Sequence, residues 1–348
     1  MNPSSLGRAP ESRRALRQGA VRLALYLLAA LLLLAVVTIA RPSTGRTLVF
    51  ELGRSAALIA IMILALQVVL AARLKWATRP FGLDMVLRFH KTAAWTALIL
   101  LVLHPLLMAW SEARWALLTQ WQMPWNIQIA RLALLLLFAN VAASQFRRSL
   151  SFRFERWRAA HDVAAILIVA AAFTHAYVTG AGFARPVAAV FLWLVPAAAA
   201  AVYVTHKLIG PALRRRAMYR VSKVKRETHD TWSINLDPPE GEKRMDFAPG
   251  QFHFITLYRG DELPREEHHF TISTPPTRPG LGSTIKESGD FTSTIGRTRE
   301  GDLAEVQGPY GRFSHVLYPH EKDLVFVAGG IGITPLMARR TNRFESPT

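Results

Sequence analysis

The chain of 348 residues contains six apolar stretches, each long enough to cross a lipid bilayer as a helix. A hydrocarbon core about 30 Å thick requires about 20 apolar residues at a helical rise of about 1.5 Å each. Inside lipid the backbone polar groups must be satisfied within the segment itself, so these stretches predict helices. The expected membrane helices cover residues 20–40, 55–72, 84–110, 127–143, 159–179 and 186–206.

The formal net charge of +18 would suit a nucleic-acid-binding protein, but the basic residues are concentrated in segments that flank the apolar stretches. These segments are 1–19, 73–91, 147–158 and 207–216, and the alternate loops carry few Lys or Arg residues. Cytoplasmic loops carry such an excess, so we expect both termini in the cytoplasm and no nucleic-acid partner. The protein is expected to be integral to the cell membrane or a bacterial inner membrane. The absence of cysteine excludes disulfides, Cys-ligated zinc and Cys-ligated iron–sulfur clusters.

Four histidines occupy the third and fifth apolar stretches at identical spacing. His90 and His104 are 14 residues apart, as are His161 and His175. On a helix this spacing is a rise of about 21 Å and about 40° short of four turns, so each helix presents both imidazoles on one face. The topology makes these two helices parallel. His90 therefore lies level with His161 (the inner pair), and His104 with His175 (the outer pair).

Each pair is interpreted as the axial ligand set of one haem iron. Neutral imidazole binds haem iron, and two ligands per iron leave no open position, which suits electron transfer. Ionisable side chains at membrane depth are costly and indicate function, although packed or interfacial histidines remain the alternative. Zinc would require a tetrahedral cluster rather than two ligands per level. Haem propionates need basic partners, and the sequence leaves five open: Arg54, Arg88, Lys91, Arg131 and Arg158.

After residue 216 the pattern changes to short alternating segments separated by Pro, Gly and Asp, which predict an antiparallel sheet or barrel. The expected strands cover residues 218–224, 231–236, 252–257, 269–273 and 283–286. A further strand at 324–328 leads into Gly329, Gly330 and Gly332. A strand, a glycine turn and a helix start in this order are a common phosphate cradle.

The helices, from about residue 50, resemble the ferric reductase and NADPH oxidase transmembrane domain, whose two haems b are held by such histidine pairs. The soluble part resembles the flavin domain of the ferredoxin-reductase type. Its segment Glu267-His268-His269-Phe270-Thr271-Ile272-Ser273 is similar to the family's His-Pro-Phe-Thr motif, with His269 in place of Pro. The resemblance implies that Phe270 and Thr271 bind the isoalloxazine ring of FAD and that His268 reaches its phosphates. It also implies an FAD contact by Ser273.

A second segment resembles the family's pyrophosphate-binding sequence. It implies FAD contacts by Lys286, Gly289, Asp290, Phe291 and Thr292. A helix beginning near Asp290 would direct backbone N–H groups at the phosphates, and Lys286 would add positive charge.

The glycine turn resembles the family's NAD(P)H-binding turn, which implies contacts by Gly329, Gly330, Gly332, Thr334 and Pro335. A complete nucleotide domain needs roughly 100 residues, so residues 321–348 are expected to form an incomplete one. The later nucleotide-contacting residues are not carried over, and NAD(P)H binding by this chain alone stays open.

The predicted architecture is therefore a cytoplasmic segment (1–19), a six-helix transmembrane α bundle (20–210), an antiparallel β-barrel FAD-binding domain (216–320) and a truncated α/β nucleotide-binding fragment (321–348). The expected function is electron transfer from cytoplasmic NAD(P)H through FAD and two haems b to an acceptor outside, dioxygen or a ferric chelate. Two alternatives stay open. In the first, the chain is a haem and flavin conduit fed by a separate reductase. In the second, it is a truncated inactive product.

Overall fold

The computed structural model describes residues 10–40, 45–180, 183, 185–317 and 324–338, with side chains from residue 16 onward. They fall into two units: Arg17–Ala77 with Asp84–His206, and Thr78–Leu83 with the described residues from Lys207. The start of the predicted cytoplasmic segment (1–9), the first residues of the predicted nucleotide fragment (321–323) and its tail (339–348) lie outside the described residues.

Within the described residues, six helices are long and apolar enough to span a membrane, which confirms the prediction from hydropathy. Their bounds are α1 Pro10–Ala40, α2 Leu48–Ala71, α3 Leu83–Ser111, α4 Trp125–Gln145, α5 Phe154–Thr179 and α6 Pro186–Val204. Short helices lie at Lys75–Thr78 and Ala116–Thr119, and α6 continues through a π-helical turn, Thr205–Ile209, into Gly210–Arg214. Helix α2 begins before the apolar stretch does, because the Thr47 hydroxyl accepts a hydrogen bond from Phe50 N–H.

The core of the helical unit lies between its helices, in two clusters of buried side chains. Leu33, Phe173 and Leu192, from α1, α5 and α6, are buried in one cluster. Ala97 of α3 is completely buried in a second cluster, and this small side chain lets helices approach closely. The opposite surfaces carry exposed leucines and phenylalanines, as expected of helices that face lipid.

The second unit is built on one six-stranded antiparallel sheet. Its strands are β1 Tyr219–Thr228, β2 Thr231–Asp237, β3 Phe252–Tyr258, β4 Glu267–Thr271, β5 Leu281–Lys286 and β6 Leu303–Tyr310, in the order β4-β3-β6-β1-β2-β5. The sequence predicted five of these strands. It missed β6, because Glu305 and Pro309 interrupt the apolar alternation of this central strand.

The two outer strands of this sheet approach each other, so the sheet is barrel-like although it is not a closed ladder. Ser273 N–H, just after β4, donates to Gly282 O of β5 at 2.8 Å. The Ser283 hydroxyl donates to Thr271 O at 3.1 Å. These bonds satisfy polar groups that an open edge would leave unpaired.

One polar side chain occupies the centre of this barrel. Alternate residues of β3 are buried, and His253 stands at one of these positions with no exposed surface. Its Nε2 lies 2.7 Å from Ser283 Oγ. Because the Ser283 hydroxyl donates to Thr271 O, Nε2 carries the proton. Burial lowers the pKa of His253 to about 3, so the ring is neutral at physiological pH.

The prediction of a strand at 324–328 is wrong. These residues have no strand conformation, and Val325 and Val327 are 90% and 92% exposed. A parallel strand is stable only with neighbouring strands that accept its hydrogen bonds and helices that cover its faces. The glycine turn that follows forms a 3-10 helix, Gly330–Ile333, and a single helical turn, Thr334–Met337.

Candidate functional site

The structure brings together the two histidine pairs that the spacing predicts. The ring centres of His90 on α3 and His161 on α5 lie 6.3 Å apart, with their planes 61° apart. Those of His104 and His175 lie 6.5 Å apart, with planes at 68°. Two parallel helices with equal spacing therefore place one imidazole pair at each of two levels.

The separation within each pair is that of two imidazoles on one ion. A metal–imidazole bond of about 2.0–2.1 Å, plus about 1.1 Å from nitrogen to ring centre, puts two rings on opposite sides of one ion about 6.3 Å apart. Both observed separations agree with this value. The residues therefore fit a six-coordinate haem iron at each level.

The outer pair is oriented by backbone carbonyls. His104 Nδ1 lies 3.0 Å from Gly53 O, and His175 Nδ1 lies 2.7 Å from Asn126 O. A carbonyl oxygen only accepts, so each Nδ1 carries the proton and the metal-binding lone pair lies on Nε2. Histidine ligands are commonly held by such a bond from the second ring nitrogen.

The inner pair is oriented by side chains instead. His161 Nδ1 lies 2.9 Å from Asn140 Oδ1 and 3.3 Å from Ser144 Oγ, both on α4. The carboxamide of Gln67 lies 2.6 Å from His90 Nδ1. The two pairs thus have nearly the same separation between ring centres but differ in the groups that contact Nδ1.

A cavity of about 510 Å³ opens beside the outer pair, which is within the usual range for ligand sites. Its lining includes His104, His175, Arg54 and Arg131. The Arg54 Nη2 pairs with Glu51 at 2.7 Å. Its Nε and Nη1 are buried, and they have no hydrogen-bond partner within the described part of the chain. Such orphaned donors fit an anionic group, and the carboxylates of a haem are one.

Of the other basic residues proposed for the propionates, Arg131 also lines this cavity, but it donates to two backbone carbonyls, Gln120 O at 2.6 Å and Leu117 O at 2.5 Å. Arg88, Lys91 and Arg158 do not line it. At the outer pair, the geometry therefore favours Arg54.

An aromatic side chain packs beside His161 of the inner pair. The Trp157 ring, one helical turn earlier on α5, lies 5.3 Å from the His161 ring. The Arg147 guanidinium carbon lies 5.5 Å from the Trp157 ring centre. Trp157 Nε1 is buried and has no hydrogen-bond partner among the residues described.

Reasoning from the sequence missed the residues that support the histidines, namely Gly53, Gln67, Asn126, Asn140 and Ser144. For Gln67, Asn140 and Ser144 a signal existed, because polar side chains inside apolar helices are costly and indicate function. Gly53 allows close helix contact: a Cβ there would lie 2.7 Å from Met108 Cε and 2.9 Å from Leu107 Cβ.

In the second unit, the structure brings the two predicted flavin segments together. The His268 ring on β4 stacks on Phe291 at 4.0 Å, with planes 21° apart, and Phe270 lies 6.5 Å from Phe291. Phe291 is a buried core residue, and the Arg259 guanidinium carbon lies 4.9 Å from its ring centre. The segment after β5 is therefore held against β4, as a common ligand site would require.

Several predicted flavin contacts have partners within the protein. The Ser273 hydroxyl is buried and donates to Gly282 O at 3.2 Å. Lys286 Nζ lies 3.2 Å from Asp230 Oδ2. A hydrogen bond from the Thr228 hydroxyl, assisted by Lys286, lowers the pKa of the Asp230 carboxyl.

The expected phosphate-binding helix differs from the prediction. It is a 3-10 helix that begins at Thr292 rather than near Asp290. The N–H groups of Ser288 and Gly289 donate to Thr292 Oγ1 at 2.8 and 2.9 Å, and Phe291 N–H donates to Asp290 Oδ1 at 2.9 Å. Local side chains thus bind the N–H groups that were expected to face the phosphates. A Cβ added at Gly289 meets no atom within 4 Å, so space is open beside this turn.

The predicted nucleotide-binding turn has its own internal bonds. Gly332 N–H donates to Gly329 O at 3.0 Å, and the buried Thr334 hydroxyl donates to Ile331 O at 3.0 Å. Gly330 has a positive φ of 53°, which glycine adopts without strain. Pro335 is in the first turn of the short helix. The turn is formed, but without the preceding strand.

Residues 56–172 match the family described as ferric reductase like transmembrane component. The match covers His90, His104 and His161 and ends three residues before His175. Together with the six apolar helices, it identifies the chain as an integral membrane protein.

The chain is also similar to known proteins along about a third of its length. The chain is 33% identical over 119 residues to a probable dihydroorotate dehydrogenase B (NAD(+)), electron transfer subunit, of Methanothermobacter thermautotrophicus, covering 34% of this chain and 41% of that protein. It is 30% identical over 131 residues to a flavohemoprotein of Halalkalibacterium halodurans, covering 34% and 31%. The chain thus spans about two fifths or less of these relatives.

Among solved structures, the chain is similar to the flavohem-like FAD/NAD binding domain of nitric oxide dioxygenase from Vibrio cholerae. The sequence identity is 20% and the TM-score 0.28, with 35% of this chain and 54% of that chain covered.

Proposed function

We propose that this chain, a membrane protein whose helical unit contains a ferric reductase like transmembrane component, is an oxidoreductase that carries electrons across the membrane. The observation that carries the proposal is the presence of two imidazole pairs. In each pair the ring centres are separated by the distance expected of two ligands on one ion. The two pairs lie about 21 Å of helical rise apart. Two metal centres so arranged bridge most of a hydrocarbon core about 30 Å thick.

His90 and His161 would hold the inner haem, and His104 and His175 the outer one. His268, Phe270 and Thr271 on β4, with the 286–292 segment, would hold FAD. When bound, a flavin would accept a two-electron hydride and release single electrons, and haem iron would supply reversible one-electron chemistry.

The protein's own residues set the conditions for that chemistry. The Nδ1 acceptors fix the rotation of the His104, His161 and His175 rings and leave Nε2 of each of these rings to bind a metal. The buried Arg54 guanidinium offers two free N–H groups to a carboxylate, a charge-assisted bond that is strong in a low-dielectric setting. With two imidazoles on each iron there would be no open position on the metal, so the acceptor would be reduced at the edge of the site.

The direction of transfer rests on the basic loops. Their distribution supports a topology with both termini in the cytoplasm, in which electrons from reduced nucleotide would pass from the inner pair to the outer pair. The acceptor outside would be dioxygen, giving superoxide, or a ferric chelate. A single steady-state assay with NADH or NADPH that follows superoxide and ferrous iron in parallel distinguishes them.

The proposal is tested by the reduced-minus-oxidised spectrum of the purified chain. We expect b-type bands in the wild type and their loss in the His104→Ala/His161→Ala double variant, which breaks both pairs. His206→Ala is the matched control, because His206 lies near the end of the sixth membrane span and outside both pairs. Absence of b-type bands from the wild type, or their persistence in the double variant, rejects the proposal.

A second function is favoured by the exposed, strandless 324–328 segment beside the glycine turn. In it, the chain receives electrons from a separate reductase protein and acts as a conduit. Two relatives are themselves named as subunits: the electron transfer subunit above and sulfhydrogenase 1 subunit gamma of Pyrococcus furiosus, 31% identical over 125 residues and covered to 41% of its length. NADH or NADPH oxidation by the purified chain without added protein would reject the conduit.

A further inference from the structure

The two levels of the proposed haem site differ in how their histidines are held. At the outer pair, both Nδ1 atoms are bonded to backbone carbonyls, of Gly53 and Asn126. At the inner pair, the acceptor for His161 is the Asn140 side chain. A backbone carbonyl is present whatever residue occupies the position, whereas a side-chain acceptor depends on which residue the sequence has there.

Asn140 is well placed to act on His161 through its side chain alone. It lies on α4, and Ser144 follows it by one helical turn on the same face. The Ser144 hydroxyl donates to Asn140 O at 2.7 Å, so its oxygen lone pairs face the His161 ring 3.3 Å away. Asn140 Oδ1 is the nearer acceptor at 2.9 Å.

We propose that Asn140 is a positioning residue for His161 whose side chain lowers the reduction potential of the inner centre, whereas backbone carbonyls hold the outer pair. This inference rests on the proposed haem ligation. A hydrogen bond accepted from Nδ1–H raises the basicity of Nε2 as a ligand. A more basic ligand stabilises the more positively charged ferric form, so the potential falls.

The expected size follows from other groups that hydrogen-bond to metal ligands, whose removal commonly changes metal affinity or activity by about 10–100-fold. We take the lower limit, tenfold, as the change in the equilibrium ratio of ferrous to ferric haem. For a one-electron couple this change corresponds to a shift in reduction potential of about 59 mV. Asn140→Leu should raise the potential of one haem by about this amount, and Asn140→Asp, a charged acceptor of the same shape, should lower it.

The experiment is a redox titration of the full chain, followed in the b-type absorption bands. Because Ser144 would replace the lost acceptor in part, Asn140→Leu is also combined with Ser144→Ala, and the shift should grow. Asn126→Ala is the matched control: it removes an asparagine side chain but keeps the carbonyl that His175 uses, so neither potential should move.

Opposite shifts of one wave in the Leu and Asp variants support the proposal. Shifts of the same sign, movement of both waves, or no shift overturn it, since a structural role would disturb both variants alike. If the Leu variant does not assemble, the sign of the Asp shift decides alone. A wild type without two b-type waves instead rejects the haem ligation itself, so the two failures are distinguishable.

Discussion

Lowering the pH from about 7.5 to about 5 should weaken the sheet unit, because its core contains a histidine that cannot be protonated in place. His253 has no exposed surface, and burial lowers its pKa to about 3. In the unfolded chain the same imidazole titrates near 6.5, its ordinary value. Between these two pKa values the unfolded state binds a proton that the folded state does not, so stability falls as the pH falls.

The magnitude follows from the two pKa values. Each pH unit below about 6.5 costs about 1.4 kcal/mol, so the loss at about pH 5 is about 2 kcal/mol. The full gap between the pKa values corresponds to about 5 kcal/mol, reached near pH 3. Against a typical free energy of unfolding of about 5–15 kcal/mol, the loss at about pH 5 is large enough to measure.

The matched variant is His253→Leu, which removes the titrating group. It leaves no polar group unpaired, because the Ser283 hydroxyl still donates to Thr271 O. Hydrogen exchange of the 252–258 peptide is measured by mass spectrometry in both full-length proteins at about pH 7.5 and about pH 5. Intrinsic exchange at a given pH is the same in both, so the ratio of protection factors isolates the protonation of His253.

The ratio of wild-type to variant protection should fall by about 30-fold between the two pH values for amides that exchange by global unfolding. Acidic residues that titrate nearby affect both proteins equally and cancel. An unchanged ratio would refute the reasoning, because it would mean that His253 accepts a proton without leaving the core.

Three further changes probe packing at single positions. Gly53→Ala places a Cβ 2.7 Å from Met108 Cε, which should separate two helices and lower the haem-to-protein ratio from about two toward one; an unchanged ratio contradicts this. Gly296→Ala places a Cβ 2.5 Å from Trp232 Cζ2 and should destabilise the sheet unit by about 1–3 kcal/mol, seen as faster hydrogen exchange around residue 232. Glu305→Gln removes the negative charge of a carboxylate whose Oε1 lies 2.8 Å from Arg214 Nε. It should lower the free energy of unfolding of the sheet unit by about 2 kcal/mol, measured by hydrogen exchange of the 303–310 peptide.

Much of the fold was predictable because hydropathy and periodicity are local properties of the sequence. The six helices follow from apolar length, although their ends do not, since caps such as Thr47 lie outside the apolar stretch. The strand β6 escaped detection because Gly308, Pro309 and Glu305 disguise a central strand whose stability comes from its neighbours β1 and β3. The segment 324–328 shows the reverse error, in which apolar alternation was taken for a strand.

At the site, the equal spacing of 14 residues in two parallel helices determined which histidines meet. The sequence alone did not determine what holds them. The acceptors for His104 and His175 lie 51 and 49 residues away along the chain, and that for His161 lies 21 residues away. Contact at such separations depends on how each helix is rotated and packed against its neighbour, which no local pattern encodes. The histidine pairing is thus a property of the sequence, and the Nδ1 acceptors of His104, His161 and His175 are a property of the tertiary structure.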